Sequence, residues 1–184
     1  MALVEYQVIQ ACQQGDLAQF GLLYDKYIKK IYDFIYFKTH HKETAQDLTS
    51  IVFVKAMQKI NTFDNKSNFS AWLYRIARNT VIDHFRVLKK DKNIDDIWDL
   101  ADNSDIAQDI DIKNKLAEVK KYLKNLKSDQ RDIVIMRLWQ NMSYAEIAQT
   151  LGKSEDSCKM SFSRTIKNLR GEFILAMLVL FITR

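Results

Sequence analysis

Proline is absent from this chain of 184 residues, and glycine occurs only four times. Because these residues interrupt helices and form turns, their scarcity, together with abundant Leu, Ile, Lys and Asn, predicts an all-α protein. Cysteine is also scarce: Cys12 and Cys158 lie far apart in the sequence. They form neither a disulfide framework nor a metal-binding cluster, so we expect a protein of the reducing cytoplasm. A secretory signal is not expected either, since the N-terminal segment carries Glu5 and has no long apolar run.

The residues that usually carry catalysis are few and scattered. Histidine occurs only as His40, His41 and His84, and none is spaced with Glu or Cys as metal ligands are. Asp83 and His84 are adjacent, so on a helix their side chains diverge instead of pairing. The sequence also lacks a phosphate-binding glycine loop and a nucleophilic serine elbow. We therefore expect no enzyme activity, cofactor, metal or small-molecule substrate.

The charge is distributed unevenly along the chain, although the total is only +5. Residues 1–90 carry 13 basic and 8 acidic residues, and residues 112–172 carry 13 and 7. Between them, residues 91–111 hold eight Asp and one Lys. Two basic lobes on either side of an acidic linker indicate two contacts with a polyanion. The alternative is a solvated linker between two unrelated surfaces.

Residues 143–170 have the pattern of a helix-turn-helix. Ser143 and Glu146 form a capping box, and Gly152 can end the first helix. Ser154 can cap the second helix, whose apolar positions recur at helical spacing. The residues expected on its outer, DNA-facing side are Ser154, Ser157, Lys159, Met160, Ser161, Ser163, Arg164 and Lys167. The second helix of such a motif lies in the major groove. An ordinary helical hairpin is the alternative.

Apolar periodicity predicts further helices at 3–13, 16–38, 43–60 and 69–89 in the first lobe and at 112–126 and 129–140 in the second. The helix at 43–60 leaves an outer face. Its candidate binding residues are Asp47, Ser50, Ile51 and Lys55. We expect the acidic segment 91–111 to be a linker without fixed structure. The predicted architecture is thus two small helical domains, the second with the helix-turn-helix.

A polar loop at 61–68 precedes the basic fourth helix and could hold bases removed from a stack. The candidate contacts in the loop are Asn61, Phe63, Asn65, Lys66 and Asn68. The candidate contacts on the helix are Arg75, Arg78, Asn79, Asp83 and Arg86. For Phe69 and Trp72 nearby, a place in the core is the stronger interpretation.

Two segments resemble the extracytoplasmic-function (ECF) group of sigma-70-type sigma factors, which direct bacterial RNA polymerase to promoters. One segment combines Glu43–Met57 with Phe69–Arg86, including the run Trp-Leu-Tyr-Arg-Ile-Ala-Arg-Asn. The other is the helix-turn-helix with the preceding Leu123–Arg137. The resemblance covers roughly residues 15–90 and 112–171.

The resemblance implies roles for the matching positions. The helix with Asp47, Ser50 and Ile51 would dock on core RNA polymerase. The loop 61–68 and the helix around Asn79 would melt and read the minus-ten element of promoter DNA. The helix 155–169 would read the minus-thirty-five element. The implied domains are residues 1–90, the linker 91–111, residues 112–171, and a tail at 172–184.

Three features depart from the family or leave alternatives open. Ser50-Ile51 stands where the family usually has a Gln-acidic pair, and Ser161 stands where it commonly has an Arg. The apolar run 173–182 is too short to span a bilayer. The run could cover part of the second domain, contact a partner such as an anti-sigma factor, or extend the last helix. Packing or partner contact is preferred there to membrane attachment. The alternative function for the whole chain is a free-standing helix-turn-helix DNA-binding regulator.

Overall fold

The structure is a computed structural model that describes residues 2–91, 123 and 125–167. The chain divides into two units, Met1–Ala101 and Asp102–Arg184. The boundary between them falls inside the segment predicted as the linker. Every regular element in the described residues is helical, which confirms the predicted all-α class.

The described part of the first unit contains four α-helices: α1 (Ala2–Gln13), α2 (Phe20–Thr39), α3 (Lys42–Lys59) and α4 (Phe69–Asp91). Short 3-10 turns at Leu17–Gln19 and Ile60–Thr62 precede α2 and follow α3. Helices α2, α3 and α4 pack against one another around fully buried Ile31, Val52 and Leu73. The predicted helix at 16–38 therefore begins later as a regular α-helix, at Phe20.

The turn between α2 and α3 is made by two histidines. His40 ends α2 in the left-handed region with φ of 49°, and its N–H donates to the carbonyl of Tyr36. His41 begins α3, since its Nδ1 accepts from the Thr44 N–H at 3.2 Å. These histidines serve as helix caps, in place of the usual Asn or Ser.

The described part of the second unit contains α5 (Ser128–Leu138), α6 (Tyr144–Leu151) and α7 (Glu155–Lys167). The capping box of α6 is present: Ser143 Oγ accepts from the Glu146 N–H, and a Glu146 carboxylate oxygen accepts from the Ser143 N–H. Gly152 ends α6 with φ of 66°. Ser154 Oγ accepts from the Ser157 N–H at 3.2 Å. The predicted helix-turn-helix is confirmed in each of these details.

The start of α5 differs from the prediction. Ser128 is the first residue of the helix, one position before the predicted start at 129, and the Lys127 N–H donates to Gln130 Oε1. Arg131 of α5 holds the preceding segment, since its guanidinium donates to the carbonyls of Leu123 and Leu126. Burial lowers the pKa of Arg131, while the neighbouring Asp132 raises it.

The core of the second unit centres on buried Val134, against which Phe162 and Ile166 of α7 pack. Cys158 is fully buried, as its helical spacing predicts. Thr165 is also buried, because its hydroxyl donates to the carbonyl of Ser161 one turn earlier. This back-bonding satisfies the hydroxyl and lets a polar residue face the core.

Several expectations fall outside the described residues. They are the linker at 92–111, most of the helix predicted at 112–126, Leu169 at the end of the recognition helix, and the apolar run 173–182.

Candidate functional site

The outer face of α3 presents a mixed acidic and apolar surface. Asp47, Ser50 and Ile51 are exposed, as predicted, and Ile51 keeps 43% of its surface accessible. Val54 is 48% exposed and extends this surface. Sequence reasoning missed Val54, although it lies seven residues after Asp47 and so shares its side of the helix.

Lys55 lies one helical turn after Ile51 but is less exposed. Its side chain is half-buried, and its Nζ donates to Thr80 Oγ1 of α4 at 3.2 Å. The lysine thus links two helices of the first unit, unlike the more exposed Asp47, Ser50 and Ile51 with which it was predicted.

Phe63 lies in the core of the first unit and not on the surface of the polar loop. It is only 5% exposed. Its ring centroid lies 5.4 Å from that of Phe69 and 5.3 Å from that of Trp72. The prediction that Phe63 contacts a base directly is therefore wrong, because its buried ring has no exposed face to offer. The loop is instead anchored by this aromatic cluster.

Two asparagines of the loop use their amides inside the protein. Asn68 Oδ1 accepts from the Ala71 N–H at 3.0 Å and so caps α4. Asn65 Nδ2 donates to Gln13 Oε1 of α1 at 2.8 Å. Asn61 and Lys66 are exposed. Of the five predicted loop contacts, Asn61 and Lys66 thus point outward. Phe63, Asn65 and Asn68 hold the loop in place.

The predicted basic face of α4 is present on one side of the helix. Arg75, Asn79, Asp83 and Arg86 are exposed, and Arg78 is half-buried. Asp83 Oδ1 accepts from Arg86 Nη1 at 3.2 Å. Spacing of three and four residues keeps these side chains on neighbouring turns. The face therefore presents guanidinium groups and one amide along the helix that follows the loop.

The outer face of α7 carries most of the predicted recognition residues. Ser161 is half-buried on its edge. The exposed ones are Ser154, Ser157, Lys159, Met160, Ser163, Arg164 and Lys167. Met160 keeps 54% of its surface accessible.

Lys159, one of the predicted recognition cations, forms ion pairs with carboxylates of its own helix. Its Nζ lies 3.0 Å from a Glu155 carboxylate oxygen and 3.9 Å from one of Asp156. The hydrogen bond to Glu155, followed by the charges of Glu155 and Asp156, raises the pKa of Lys159. Lys159 is therefore charged at neutral pH but partly neutralised by its own helix.

Within residues 2–91, 123 and 125–167, His, Cys, Asp and Glu do not gather into a group able to hold a metal ion. In the same residues, every helix is too short or too polar to cross a membrane. What the described surfaces offer is a cationic helix face in each unit, a polar loop, and an exposed apolar pair on α3. Such surfaces suit a nucleic acid and a protein partner.

Comparison with known families places these surfaces in two defined regions. The family model for Sigma-70 region 2 matches residues 23–90, and the model for Sigma-70, region 4 matches residues 116–169. The first range contains α3, the loop and α4. The second contains the helix-turn-helix.

Whole-chain relatives agree with these matches. The ECF RNA polymerase sigma factor SigX of Bacillus subtilis is 30% identical over 161 residues, which cover 82% of this chain and 81% of that protein. The chain belongs to the ECF RNA polymerase sigma factors. These are transcription initiation factors and not enzymes as a family. The ECF RNA polymerase sigma factor BldN of Streptomyces coelicolor is 32% identical, covering 89% of this chain and 63% of its own length.

A solved structure supports the same fold. The sigma factor RpoE, determined in complex with the anti-sigma factor NepR from Bartonella quintana, matches with a TM-score of 0.62 at 24% identity. The match covers 87% of this chain and 97% of that one.

Proposed function

We propose that this sigma factor binds core RNA polymerase through α3 and reads a promoter with two surfaces, one in each unit. The observation that carries the proposal is the presence of both sigma-70 regions in order, each with its predicted binding face exposed. Residues 1–90 would form the polymerase and minus-ten domain, and residues 112–171 the minus-thirty-five domain. The segment 91–111 would link them, followed by the tail 172–184.

The polymerase contact is assigned to Asp47, Ser50, Ile51 and Val54. Ile51 and Val54 expose apolar surface beside the carboxylate of Asp47. Protein interfaces combine such an apolar centre with charged groups that select the partner. An isoleucine at position 51, where the family usually has an acidic residue, would shift this contact from charge towards apolar burial.

The minus-ten contact is assigned to the loop and α4. Arg75, Arg78 and Arg86 would hold the phosphates of the separated strand, and the exposed amides of Asn61 and Asn79 would meet base edges. Lys66 would add a phosphate contact at the loop. Such a combination of cations and amides is typical of sites that take unpaired nucleotides.

The minus-thirty-five contact is assigned to α7. Arg164 and Lys167 lie near its end and are suited to phosphates or to guanine, whose O6 and N7 accept from cations. Ser157 and Met160 lie nearer the start of the helix, where recognition helices contact base edges. Lys159 would have to exchange its carboxylate partners for DNA.

Two further assignments complete the proposal. RpoE was solved with an anti-sigma factor, and we include a protein of that class among the partners of this chain. A factor that acts on RNA polymerase works where transcription occurs, so we place it in the cytoplasm. No cofactor is required for these steps.

The polymerase contact is tested by Asp47→Arg, with Asp25→Arg as the matched control. Both aspartates are exposed on helices of the first unit, and both substitutions change the charge by the same amount. We expect Asp47→Arg to weaken capture of core polymerase by about tenfold, since a like charge replaces a complementary one in an interface. Asp25→Arg should bind as wild type does.

Capture is measured by titrating labelled protein with core polymerase. The circular dichroism spectrum of each variant reports whether the helices are intact. Equal capture by wild type and Asp47→Arg would show that α3 is not the docking helix.

A further inference from the structure

Gln13, the last residue of α1, makes three hydrogen bonds to a segment about fifty positions further along the chain. Its Nε2 donates to the carbonyl of Ile60 at 3.0 Å and to that of Phe63 at 2.8 Å. Its Oε1 accepts from Asn65 Nδ2 at 2.8 Å. All three partners lie in or directly before the loop 61–68.

The orientation of both amides follows from these contacts. Two carbonyl oxygens can be satisfied only by the NH₂ group of Gln13, so its oxygen faces Asn65. Asn65 must then present its own NH₂ group, and its Oδ1 points elsewhere. That oxygen is buried without a hydrogen-bond partner among the described residues. A buried acceptor without a hydrogen bond costs free energy. The Asn65 amide keeps this orientation despite that cost, because its Nδ2 donates to Gln13.

The helix that carries Gln13 is itself held firmly in the first unit. Val8, Ile9 and Cys12 of α1 are 7%, 3% and 1% exposed. Gln13 therefore extends towards the loop from a helix that is packed in the core of the first unit. The match to Sigma-70 region 2 begins only at residue 23, so α1 lies outside the part of the chain that this family model describes.

We propose that Gln13 is a positioning residue for promoter reading. It holds the backbone at Ile60 and Phe63 and the side chain of Asn65, so that the exposed Asn61 and Lys66 of the same loop meet the unpaired minus-ten strand in one arrangement. The inference rests on the proposed function of the loop. It adds a specificity-determining residue that does not itself touch DNA.

The test compares Gln13→Met with Gln14→Met in reconstituted holoenzyme. Methionine keeps the length of the side chain but cannot donate to the two carbonyls, and exposed Gln14 is the neighbouring glutamine. Each holoenzyme is incubated with a promoter fragment whose minus-ten element is randomised and already unpaired. The bound pool is sequenced, and the affinity of each variant for core polymerase is measured in parallel.

We expect wild type and Gln14→Met to enrich the same bases. Gln13→Met should reduce the enrichment at the positions read by the loop by about tenfold, the factor expected from losing one or two such hydrogen bonds. Its affinity for core polymerase should be unchanged. Gln13→Glu, which keeps the length and the acceptor but not the donors, should behave in the same way.

Three results are distinguishable from this expectation. Unaltered base enrichment in both Gln13 variants would overturn the positioning role. A parallel loss of polymerase affinity in both would overturn it too, by assigning Gln13 to the fold of the whole unit. If wild-type holoenzyme enriches no base above core polymerase alone, the proposed function of the loop fails instead.

Discussion

The two proposed DNA-reading surfaces are built in different ways. In the first unit, the loop before α4 is held by a buried phenylalanine, a helix cap and an amide link to α1. In the second unit, the outer face of α7 consists of exposed side chains on a helix whose opposite side supplies the packing. The loop of the first surface therefore cannot lose the residues that anchor it without loss of stability, whereas the exposed face of α7 can be altered more freely.

This difference matches the tasks proposed for the two units. A loop that takes unpaired bases must keep its shape while the duplex is opened, and extruding a base costs a few kcal/mol. A helix that enters an intact major groove needs only to present its side chains. Exposed lysines and arginines on a packed helix are sufficient for that contact.

The largest expected effect is a loss of stability of the first unit when Phe63 is replaced. Phe63→Ala should destabilise the first unit by about 3–5 kcal/mol, because it removes a buried ring and leaves a cavity beside Phe69 and Trp72. Met160→Ala on α7 is the control, and it should change stability by less than about 0.5 kcal/mol because Met160 is exposed. Urea unfolding measures both. Equal midpoints for the two variants would contradict the distinction.

A smaller effect is expected on DNA binding by α7 when Arg164 is replaced. Arg164→Ala should weaken binding of the upstream promoter element by about 1–3 kcal/mol if the guanidinium reads a base. If it contacts only a phosphate, the slope of log affinity against log salt should fall by about one, with base preference unchanged. Lys159→Ala should behave as a phosphate contact, and Lys127→Ala at the start of α5 serves as control. Binding to labelled promoter DNA at several salt concentrations distinguishes these cases.

Asn79 tests the first surface without removing core packing. Asn79→Ala should impair promoter opening by about 1 kcal/mol, the usual net value of one hydrogen bond, and should leave polymerase binding intact. A pre-melted promoter should restore part of the signal, since the unstacking cost is already met. Permanganate reactivity of promoter thymines measures opening on both templates. If wild type and variant are equally reactive on the duplex, Asn79 only supports α4.

The smallest effect concerns pH and the first unit. Burial lowers the pKa of His84 below its ordinary value of 6.5. The unfolded chain therefore binds a proton more readily than the folded protein does. The contribution of neutral His84 to stability is full above pH 6.5 and is lost as the pH falls through the lowered pKa.

We expect His84→Gln to lose less thermal stability than wild type between about pH 7.5 and 5.5. Melting curves across this range measure the difference. Parallel curves for the two proteins would show that His84 does not contribute.

Local chemistry allowed much of the fold to be predicted from the sequence. The capping box at Ser143, the left-handed turn at Gly152 and the cap at Ser154 depend on residues within a few positions of one another. The same is true of the outer faces of α3, α4 and α7, which follow from helical spacing. These features were therefore readable before any tertiary contact was known.

Other features could not be predicted, because they depend on a residue far away in the sequence or on a hidden hydrogen bond. Phe63 lies among turn-forming polar residues, yet α4 brings an aromatic cluster to cover it. Lys55 donates a hydrogen bond to Thr80, and Gln13 donates one to a loop about fifty residues later. Thr165 is polar but buried through a bond to Ser161. Spacing rules contain no information on such contacts.

The most direct test of the account is run-off transcription from one promoter with core polymerase, this protein, or both. We expect a discrete transcript only when both are present, and loss of that transcript for Asp47→Arg. Tight, sequence-specific binding of the protein alone to duplex promoter DNA, with no stimulation of core polymerase, would contradict it. That result would instead identify a free-standing helix-turn-helix regulator.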